Sequence, residues 1–431
     1  MEKKMLARYP LGNPRRLWQQ DTFTLSTFNP DRISFRVEQP DAAEIMRRSV
    51  KTCADAGFNL LELGWALPVE SDAAVRRCEE LGIRVIYQNL KRYGGMNKRI
   101  FCEKSDLPSV MREYRQWKSV AGFYIWDEPP CEEQMHEARR LMDLCEREMP
   151  EGLPFIVALP SYGEPATWHN GMYADYLEQY ASLIDPVVFS MDYYPIGMDE
   201  HDLERQLDES LMWCDLGVSR LVAERHDMPF WFYYQGQNLH NYHTFTFPMV
   251  RLMMNAGVLH GVKGLQHYTA WGAVVGPDGG PGEFFEEQKA IHAHFRELGS
   301  TLMALQCRRV IHDATLLPDC PYTEGLFGTM AESKLLKGEL PRRVSVSEHE
   351  DVYGNQYLMV LNRDYARECD LTLALKYPAR VWEVSPKDGM QHVFGENAES
   401  LSAHYIPGEL RLFRIQPAGE EPFEIEYYLD K

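Results

Sequence analysis

The sequence predicts an α/β fold: a (β/α)8 TIM barrel over residues 1–305, followed by a small antiparallel β-sandwich over residues 306–431. Three observations predict this organisation. From Thr22 onward, apolar strand-like segments alternate with amphipathic segments of helix length, which is typical of a parallel sheet. Eight such units occupy about 280 residues, the usual size of a closed barrel. In the second part, short strand-like segments follow one another without helical spacers, which indicates an antiparallel sandwich of Greek-key type.

The eight barrel strands are predicted from short apolar runs that are separated by enough chain for a crossover helix. The first strand has two candidates, residues 22–28 and residues 33–37, and we favour the former. A helix from about Glu283 to Leu305 would close the ring. The other seven strands are predicted at residues 58–63, 83–90, 122–125, 154–159, 186–192, 229–235 and 262–268.

The predicted strands of the second part are bounded by turn residues. Tyr353-Gly354-Asn355 and Lys387-Asp388-Gly389 are typical of hairpin turns. The only tryptophan in this part, Trp382, falls inside a predicted strand, so we favour a packing role over carbohydrate binding. The strands are predicted at residues 343–347, 356–362, 371–375, 380–384 and 410–415.

Composition and charge limit the classes of partner. The net charge of −19 comes from 64 acidic and 45 basic residues; it argues against nucleic acid, whose phosphates need a basic surface. A small-molecule or oligosaccharide substrate fits better.

The nine cysteines form no CxxC pair, which favours a reducing compartment. We see no signal peptide and no run of about 20 apolar residues, so we expect a cytoplasmic protein without a membrane partner, although a trimmed chain would hide a leader. The oligomeric state is left open.

Segment 121–130 is the centre of the functional prediction. A buried strand, Gly122–Ile125, runs into two adjacent carboxylates, Asp127 and Glu128, and then meets two prolines, which cannot continue a strand ladder. Buried acids are costly unless something pairs with them or uses them. In a barrel, the carboxyl ends of the strands form the catalytic face. The alternative is a strand end with two solvated acids.

Further polar and aromatic residues fall at the predicted carboxyl ends of other strands, which a barrel gathers around one mouth. Aromatic faces stack on the C–H faces of sugars, and amides and carboxylates pair with hydroxyls, so this set is typical of a sugar-binding pocket. The acidic candidates are Asp127, Glu128 and Asp192. The predicted substrate-binding residues are Glu62, Trp65, Asn89, Trp126, Tyr193, Tyr194, Tyr234, Gln235, His267 and Trp271.

Several of these residues have a structural alternative. Trp65 and Trp126 could fill the core, and Glu62 could be a buried barrel acid that a neighbouring Arg neutralises. Asp192 could cap a loop, and His267 could be a satisfied core imidazole. The functional interpretation therefore depends on the joint position of these residues at one mouth.

The order of these motifs resembles the large clan of (β/α)8 glycoside hydrolases that includes cellulases and β-galactosidases. Members carry an Asn-Glu-Pro-like end on strand four, and here that slot is Trp126-Asp127-Glu128-Pro129. The resemblance covers roughly residues 22–305 and extends to the trailing β-sandwich. The Asp-Glu-Pro form most resembles predicted glycoside hydrolases of poorly characterised families. The resemblance implies that Glu128 is the acid/base, that Tyr193 and Tyr194 form the aromatic end of strand six, and that Trp271 lies under the sugar.

One position departs from the clan's pattern. The clan's nucleophile is a Glu at the end of strand seven, whereas Gln235 stands at that end here. The usual retaining mechanism through that residue is therefore in doubt. Gln235 would then bind a hydroxyl, or the substrate's own acetamido group would attack, as in substrate-assisted hydrolases.

Glycoside cleavage generally uses two carboxyls, an acid and a nucleophile or base. We predict Glu128 as the general acid, because burial beside Trp126 and the like charge of Asp127 should raise its pKa. Asp192 is the first candidate for the second carboxylate, followed by Asp127 and Glu62.

Two other classes of function remain open. The barrel could bind a glycan without cleaving it, the missing strand-seven Glu being the sign of an inactive descendant. A metal-dependent hydrolase has only weak support, from the HxxH spacing of His240 and His243 and from the pair His226-Asp227. We therefore expect neither a metal nor a cofactor.

Overall fold

The computed structural model confirms the predicted fold class, a parallel eight-stranded (β/α)8 barrel followed by an antiparallel β domain. The seven cysteines in the described part of the chain form no disulfide with one another. No helix there is both long enough and apolar enough to cross a bilayer. The structure describes residues 13–30, 40–63, 68–87, 107–162, 172–196, 207–208, 210–239, 245–316 and 325–420.

Each barrel strand overlaps a predicted segment, and the first strand uses the favoured candidate; residues 33–37 lie outside the described residues. Neighbouring strands pair in parallel around the barrel. The ring closes through a bridge between Ala158, just after the fifth strand, and Met191 in the sixth. The strands are β1 (Thr24–Phe28), β2 (Leu60–Glu62), β3 (Arg84–Tyr87), β4 (Val120–Asp127), β5 (Leu153–Val157), β6 (Phe189–Tyr193), β7 (Phe230–Gln235) and β8 (Gly264–Tyr268).

The helices between the strands cover the outside of the barrel. Each amphipathic helix turns an apolar face to the sheet; the first one buries Met46, Val50 and Cys53, which recur at helical spacing. The helices are α1 (Ala42–Asp55), α2 (Pro68–Leu81), α3 (Leu107–Tyr114), α4 (Glu132–Glu148), α5 (Tyr173–Ile184), α6 (Met212–Arg225), α7 (Phe247–Leu259) and α8 (Phe285–Ala304). The last of these is the helix predicted to close the ring.

The β domain is one hydrogen-bonded antiparallel sheet in the described residues. Its strands are β9 (Gln306–His312), β10 (Leu336–Lys337), β11 (Val344–Glu350), β12 (Gln356–Asn362), β13 (Cys369–Val384), β14 (Gln391–Tyr405) and β15 (Leu410–Pro417). They lie in the order β10-β13-β15-β12-β11-β9, and β14 pairs with β13. One long strand, β13, replaces two predicted strands. β14 escapes prediction because it is largely exposed and polar, and has no apolar alternation.

The β domain packs on the helical layer of the barrel through β12. This strand reads as a continuous apolar run because both of its faces are buried. Tyr357 and Met359 join the core of the barrel, whereas Leu358 and Val360 belong to a separate core within the β domain. Asn255 of α7 donates a hydrogen bond of 2.7 Å from Nδ2 to the carbonyl oxygen of Gly408.

Candidate active site

A cavity of about 260 Å³ lies at the carboxyl end of the barrel strands. Its walls come from β1 and from β4 to β8, because a barrel gathers these strand ends around one mouth. It brings together all three acidic candidates and one predicted aromatic residue, Tyr194. The complete lining is Phe28, Tyr124, Asp127, Glu128, Val157, Asp192, Tyr194, Tyr233 and Tyr268.

Asp127 and Glu128 both line the cavity although they are adjacent in sequence. In a regular strand, adjacent side chains point to opposite faces, so one of the two would face away. Glu128 comes directly after β4 and has a φ of 47°, in the left-handed region. Its N–H donates to the carbonyl oxygen of Val157 at 3.2 Å. Such a conformation costs about 1–3 kcal/mol in a non-glycine residue and is concentrated at functional sites.

Asp127 accepts a hydrogen bond from a tyrosine that lies three residues earlier in the same strand, β4. The Tyr124 hydroxyl donates a hydrogen bond of 3.0 Å to Oδ1 of Asp127. Burial raises the pKa of Tyr124 well above its ordinary value, and the charges of Asp127 and Glu62 raise it further. The phenol therefore keeps its proton and can act only as a donor to the carboxylate.

Asp192 is the most deeply desolvated acid of the cavity. Its side chain is 6% exposed, and its Oδ1 atom has no hydrogen-bond partner among the described residues. Burial raises the pKa of Asp192 well above its ordinary value, and the charges of Glu128 and Asp127 raise it further, while a hydrogen bond from Tyr194 opposes the shift. Three carboxyls that share one cavity disfavour full ionisation of the cluster, and Asp192 is the member whose charged form burial disfavours.

Aromatic rings form the opposite wall of the cavity. Phe28 stacks on Tyr268 with 5.5 Å between ring centroids, and Tyr194 stacks on the same Tyr268 at 4.6 Å, both with planes 24° apart. Tyr233 meets Phe28 edge to face at 6.3 Å, and its hydroxyl is buried without a described partner. This wall can accept the C–H face of a sugar while the acids pair with its hydroxyls.

A polar layer lies one step deeper in the barrel lumen. Gln266 and Ser190 each come two residues before a lining residue, and the Ser190 hydroxyl donates to Gln266 Oε1 at 2.7 Å. Gln266 in turn donates from Nε2 to Oε1 of Glu62 at 2.9 Å. Burial raises the pKa of Glu62 to about 7, against hydrogen bonds from Ser26 and Gln266. Within the described residues, Glu62 is thus a barrel-core acid whose hydrogen-bond partners are neutral and include no Arg, and it does not line the cavity.

Gln235, at the end of β7, uses both ends of its amide to hold the backbone that follows β6. Its Nε2 donates to the carbonyl oxygen of Ile196 at 2.7 Å, and its Oε1 accepts from the Ile196 N–H at 2.9 Å. The side chain is completely buried. An ionised Glu at this position would have no donor for the carbonyl, which gives the amide a structural reason here.

Tyr234 and His267 point to the helical layer instead of the cavity. The Tyr234 hydroxyl accepts a hydrogen bond of 3.2 Å from Gln288 of α8, and the ring of His267 lies edge-on to Tyr234 at 5.2 Å. Burial lowers the pKa of His267 to about 3, so the imidazole is neutral. Alternation along the strands is the reason, because Tyr233 and Tyr268 occupy the inward positions of β7 and β8.

The other predicted residues lie outside the lining of the cavity or outside the described residues. Trp126 is 1% exposed and belongs to the barrel core, and Tyr193 is likewise buried. Trp271 is partly buried in the loop after β8. The resemblance implied that Trp271 lies under the sugar, but Tyr268, and not Trp271, lines the cavity. Trp65 and Asn89 are outside the part of the chain that the structure describes.

Five lining residues, Phe28, Tyr124, Val157, Tyr233 and Tyr268, are not among the predicted site residues. A signal for some of them is present in the sequence. Small or polar residues in a barrel strand mark its inward face, and the lining residue follows two positions later, as Asp192 follows Ser190 and Tyr268 follows Gln266. That period of two would have selected Tyr268 over His267.

The described residues contain no group of three or more His, Cys, Asp or Glu side chains placed to hold a metal ion. His226 follows α6 and lies at the end of the barrel opposite the cavity, with its Nε2 2.8 Å from Oε2 of Glu178. His240 and His243 fall outside the described residues.

Comparison with known proteins shows the fold. No protein-family model and no curated protein matches the chain. A β-galactosidase from Rahnella sp. R3 is 10% identical with a TM-score of 0.54, over 95% of this chain and 100% of that one. A β-L-arabinopyranosidase from Geobacillus stearothermophilus is 10% identical with a TM-score of 0.50, over 94% and 98% of the two chains. The chain therefore shares its overall fold with these two glycosidases.

Proposed function

We propose that the protein is a glycoside hydrolase that cleaves a glycoside or oligosaccharide with acid assistance. The observation that carries the proposal is the meeting of Asp127, Glu128 and Asp192 in one cavity, beside stacked aromatic rings. Glycosidic cleavage needs one carboxyl to protonate the leaving oxygen and a second to act as base or nucleophile. The glycosidase activity of both structural neighbours supports the proposal.

In this proposal Glu128 is the general acid/base and Asp192 is the second carboxylate. Oδ1 of Asp192 has no described partner, so it is available for a water molecule or a sugar carbon. Oδ1 of Asp127 already accepts a hydrogen bond from Tyr124, which suits Asp127 to binding a hydroxyl rather than to acting as the second catalytic carboxylate. In the reactive complex Glu128 carries the proton, which goes to the leaving oxygen as the bond breaks, and Asp192 is ionised.

The size of the cavity favours a single sugar unit on the glycone side. Its volume of about 260 Å³ is below the range of roughly 300–1,000 Å³ that is common for drug-sized ligands. Phe28, Tyr268 and Tyr194, which stack on one another, supply apolar lining for one sugar ring. The substrate is therefore expected to lose one terminal sugar at a time.

A second candidate function is a barrel that binds a glycan without cleaving it. Gln235 favours this alternative, because it stands where the resembled clan has its nucleophile and both ends of its amide are engaged by Ile196. In that case the cavity acids would pair with hydroxyls only. The two functions differ in turnover, not in the ligand class.

The test is hydrolysis of a panel of 4-nitrophenyl glycosides by the wild-type protein to find the preferred sugar, and then of the methyl glycoside of that sugar by the wild type and by Glu128→Gln, because a methoxide leaving group needs protonation and a nitrophenolate does not. We expect the wild type to hydrolyse at least one member, and Glu128→Gln to lose roughly 10²–10⁴-fold in kcat, the usual contribution of a positioned acid. Glu44→Gln is the matched control, because Glu44 is an exposed acid on α1. Thermal melting shows that all three proteins fold.

The contrary outcomes are distinct. Full activity of Glu128→Gln would remove Glu128 from the mechanism. Absence of turnover by the wild type, together with saturable binding of a monosaccharide or an iminosugar in calorimetry, would favour the binding barrel.

A further inference from the structure

Tyr162 is an exposed aromatic residue at the mouth of the barrel. It lies in the loop that follows β5, at the same end as the cavity, and its side chain is 46% exposed. A single exposed ring needs no explanation by itself. The case for a role therefore depends on how Tyr162 is held and on what it faces.

The backbone before Tyr162 is fastened to buried groups. The Ser161 N–H donates a hydrogen bond of 3.0 Å to Oδ2 of Asp215, a completely buried acid on α6. The carbonyl oxygen of Leu159 accepts a hydrogen bond of 3.0 Å from the hydroxyl of Tyr173 on α5. A buried carboxylate and a buried phenol thus position the start of the loop that carries an exposed ring.

The ring of Tyr162 is also packed against Tyr193, a buried residue outside the lining of the cavity. It packs edge to face on Tyr193, with 5.0 Å between centroids and planes 78° apart. Tyr193 lies between Asp192 and Tyr194, which both line the cavity. Partial desolvation raises the pKa of the Tyr162 hydroxyl, and the nearby charges of Asp192 and Glu128 raise it further. Tyr162 therefore lies outside the cavity lining and within electrostatic range of the acids.

We propose that Tyr162 is the platform on which the leaving group of the substrate stacks, and that this leaving group is a sugar or aryl ring. The inference rests on the proposed function. The acid that protonates the glycosidic oxygen stands on the leaving-group side of the scissile bond. Since the cavity encloses the other sugar in this proposal, the leaving group lies outside the cavity, and Tyr162 is exposed outside its lining in the loop that follows β5. A platform that is already fixed loses little entropy when a ring binds to it.

The test compares two leaving groups on one sugar. The sugar is that of the 4-nitrophenyl glycoside which the wild type hydrolyses best, and the second substrate is the glycosyl fluoride of the same sugar, whose leaving group cannot stack. We expect Tyr162→Ala to lower kcat/KM for the nitrophenyl glycoside about tenfold and to change it for the fluoride less than about twofold. Tyr162→Phe keeps the ring and both activities.

Tyr353→Ala is the matched control, because Tyr353 is 41% exposed on the distant β domain, and it should change neither substrate. An equal loss on both substrates in Tyr162→Ala, or no loss on either, would overturn the platform while leaving the glycosidase proposal standing. A wild-type protein that hydrolyses no glycoside and no fluoride would overturn the proposed function, and the platform with it.

Discussion

Two buried carboxylates, Glu348 in the β domain and Asp192 in the barrel, differ in how their charge is stabilised. Glu348 is 2% exposed, and its Oε2 accepts from Nη1 of Arg309 at 2.8 Å. Its Oε1 accepts from the Ser333 hydroxyl at 2.6 Å and from the Lys334 N–H at 2.7 Å. Asp192 is 6% exposed, and its Oδ1 has no partner among the described residues.

The difference separates a structural acid from a candidate catalytic one. A buried charge is costly unless it is paired and hydrogen-bonded, and Glu348 meets both conditions. Asp192 meets neither condition fully, and two further acids raise its pKa. An incompletely paired buried acid in a cleft is a feature of functional sites, where the missing partner is the ligand. Completeness of hydrogen bonding, rather than burial, distinguishes the two.

The largest expected effect comes from Asp192→Asn, which replaces the incompletely paired acid by a neutral amide of the same shape. We expect kcat on the best glycoside to fall roughly 10²–10⁴-fold, because an amide can serve neither as base nor as nucleophile. The melting temperature at neutral pH should stay the same or rise, because a group whose charged form is disfavoured by burial is removed. Steady-state kinetics and calorimetry measure the two quantities. Nearly normal activity, or a protein that no longer folds, would contradict the comparison.

Glu348→Gln makes the same acid-to-amide substitution at Glu348, the buried acid that is paired with Arg309. We expect a loss of about 3 kcal/mol in the free energy of unfolding, because the substitution leaves Arg309 without its charge partner. The activity of the folded protein should not change, since Glu348 lies in the β domain. Urea denaturation combined with kinetics checks both statements. A stable Glu348→Gln protein with reduced activity would reverse the roles assigned to the two acids.

A smaller effect is expected from Glu62→Gln, which changes the pH dependence of stability. The folded pKa of Glu62 is about 7, against an ordinary value of 4.5. Between pH 4.5 and about pH 7, Glu62 is deprotonated in the unfolded chain but still protonated in the folded protein. The stability that Glu62 contributes below pH 4.5 is therefore lost as the pH rises toward 7. Relative to Glu62→Gln, the wild type should lose about 2 kcal/mol of unfolding free energy between about pH 5 and about pH 8.

Denaturation of both proteins across that pH range is the measurement. Parallel stability curves for the wild type and Glu62→Gln would show that Glu62 does not keep its proton in the folded protein. The amide can still accept the hydrogen bond from Gln266, so the comparison isolates the titration.

Much of the fold could be predicted because its signals are local. The apolar runs and the helix-length spacers select the eight barrel strands, and β12 coincides with its predicted bounds, residues 356–362. β14 could not be predicted, because its residues are mostly polar and exposed and it forms by pairing with β13. The continuity of β13 across two predicted strands likewise depends on that pairing.

The residues of the candidate site also fall into two groups, those that could be predicted from the sequence and those that could not. The acids Asp127, Glu128 and Asp192 stand out in the sequence because carboxylates at the ends of apolar strands are unusual whichever way they face. Their aromatic partners do not, because each strand end offers two adjacent candidates. Only the direction in which each side chain points from the strand decides between them, as it does between Tyr233, which lines the cavity, and Tyr234, which does not.

By itself, the sequence determined the succession of strands and helices, the change to an antiparallel domain, and the strand ends at which acids occur. Only the tertiary structure decided which side chains meet in the cavity. The physical reason is that side-chain direction in a strand has a period of two, so a single irregular residue reverses it. Glu128, with its φ of 47°, is such a residue, and its conformation brings two adjacent carboxylates to one site.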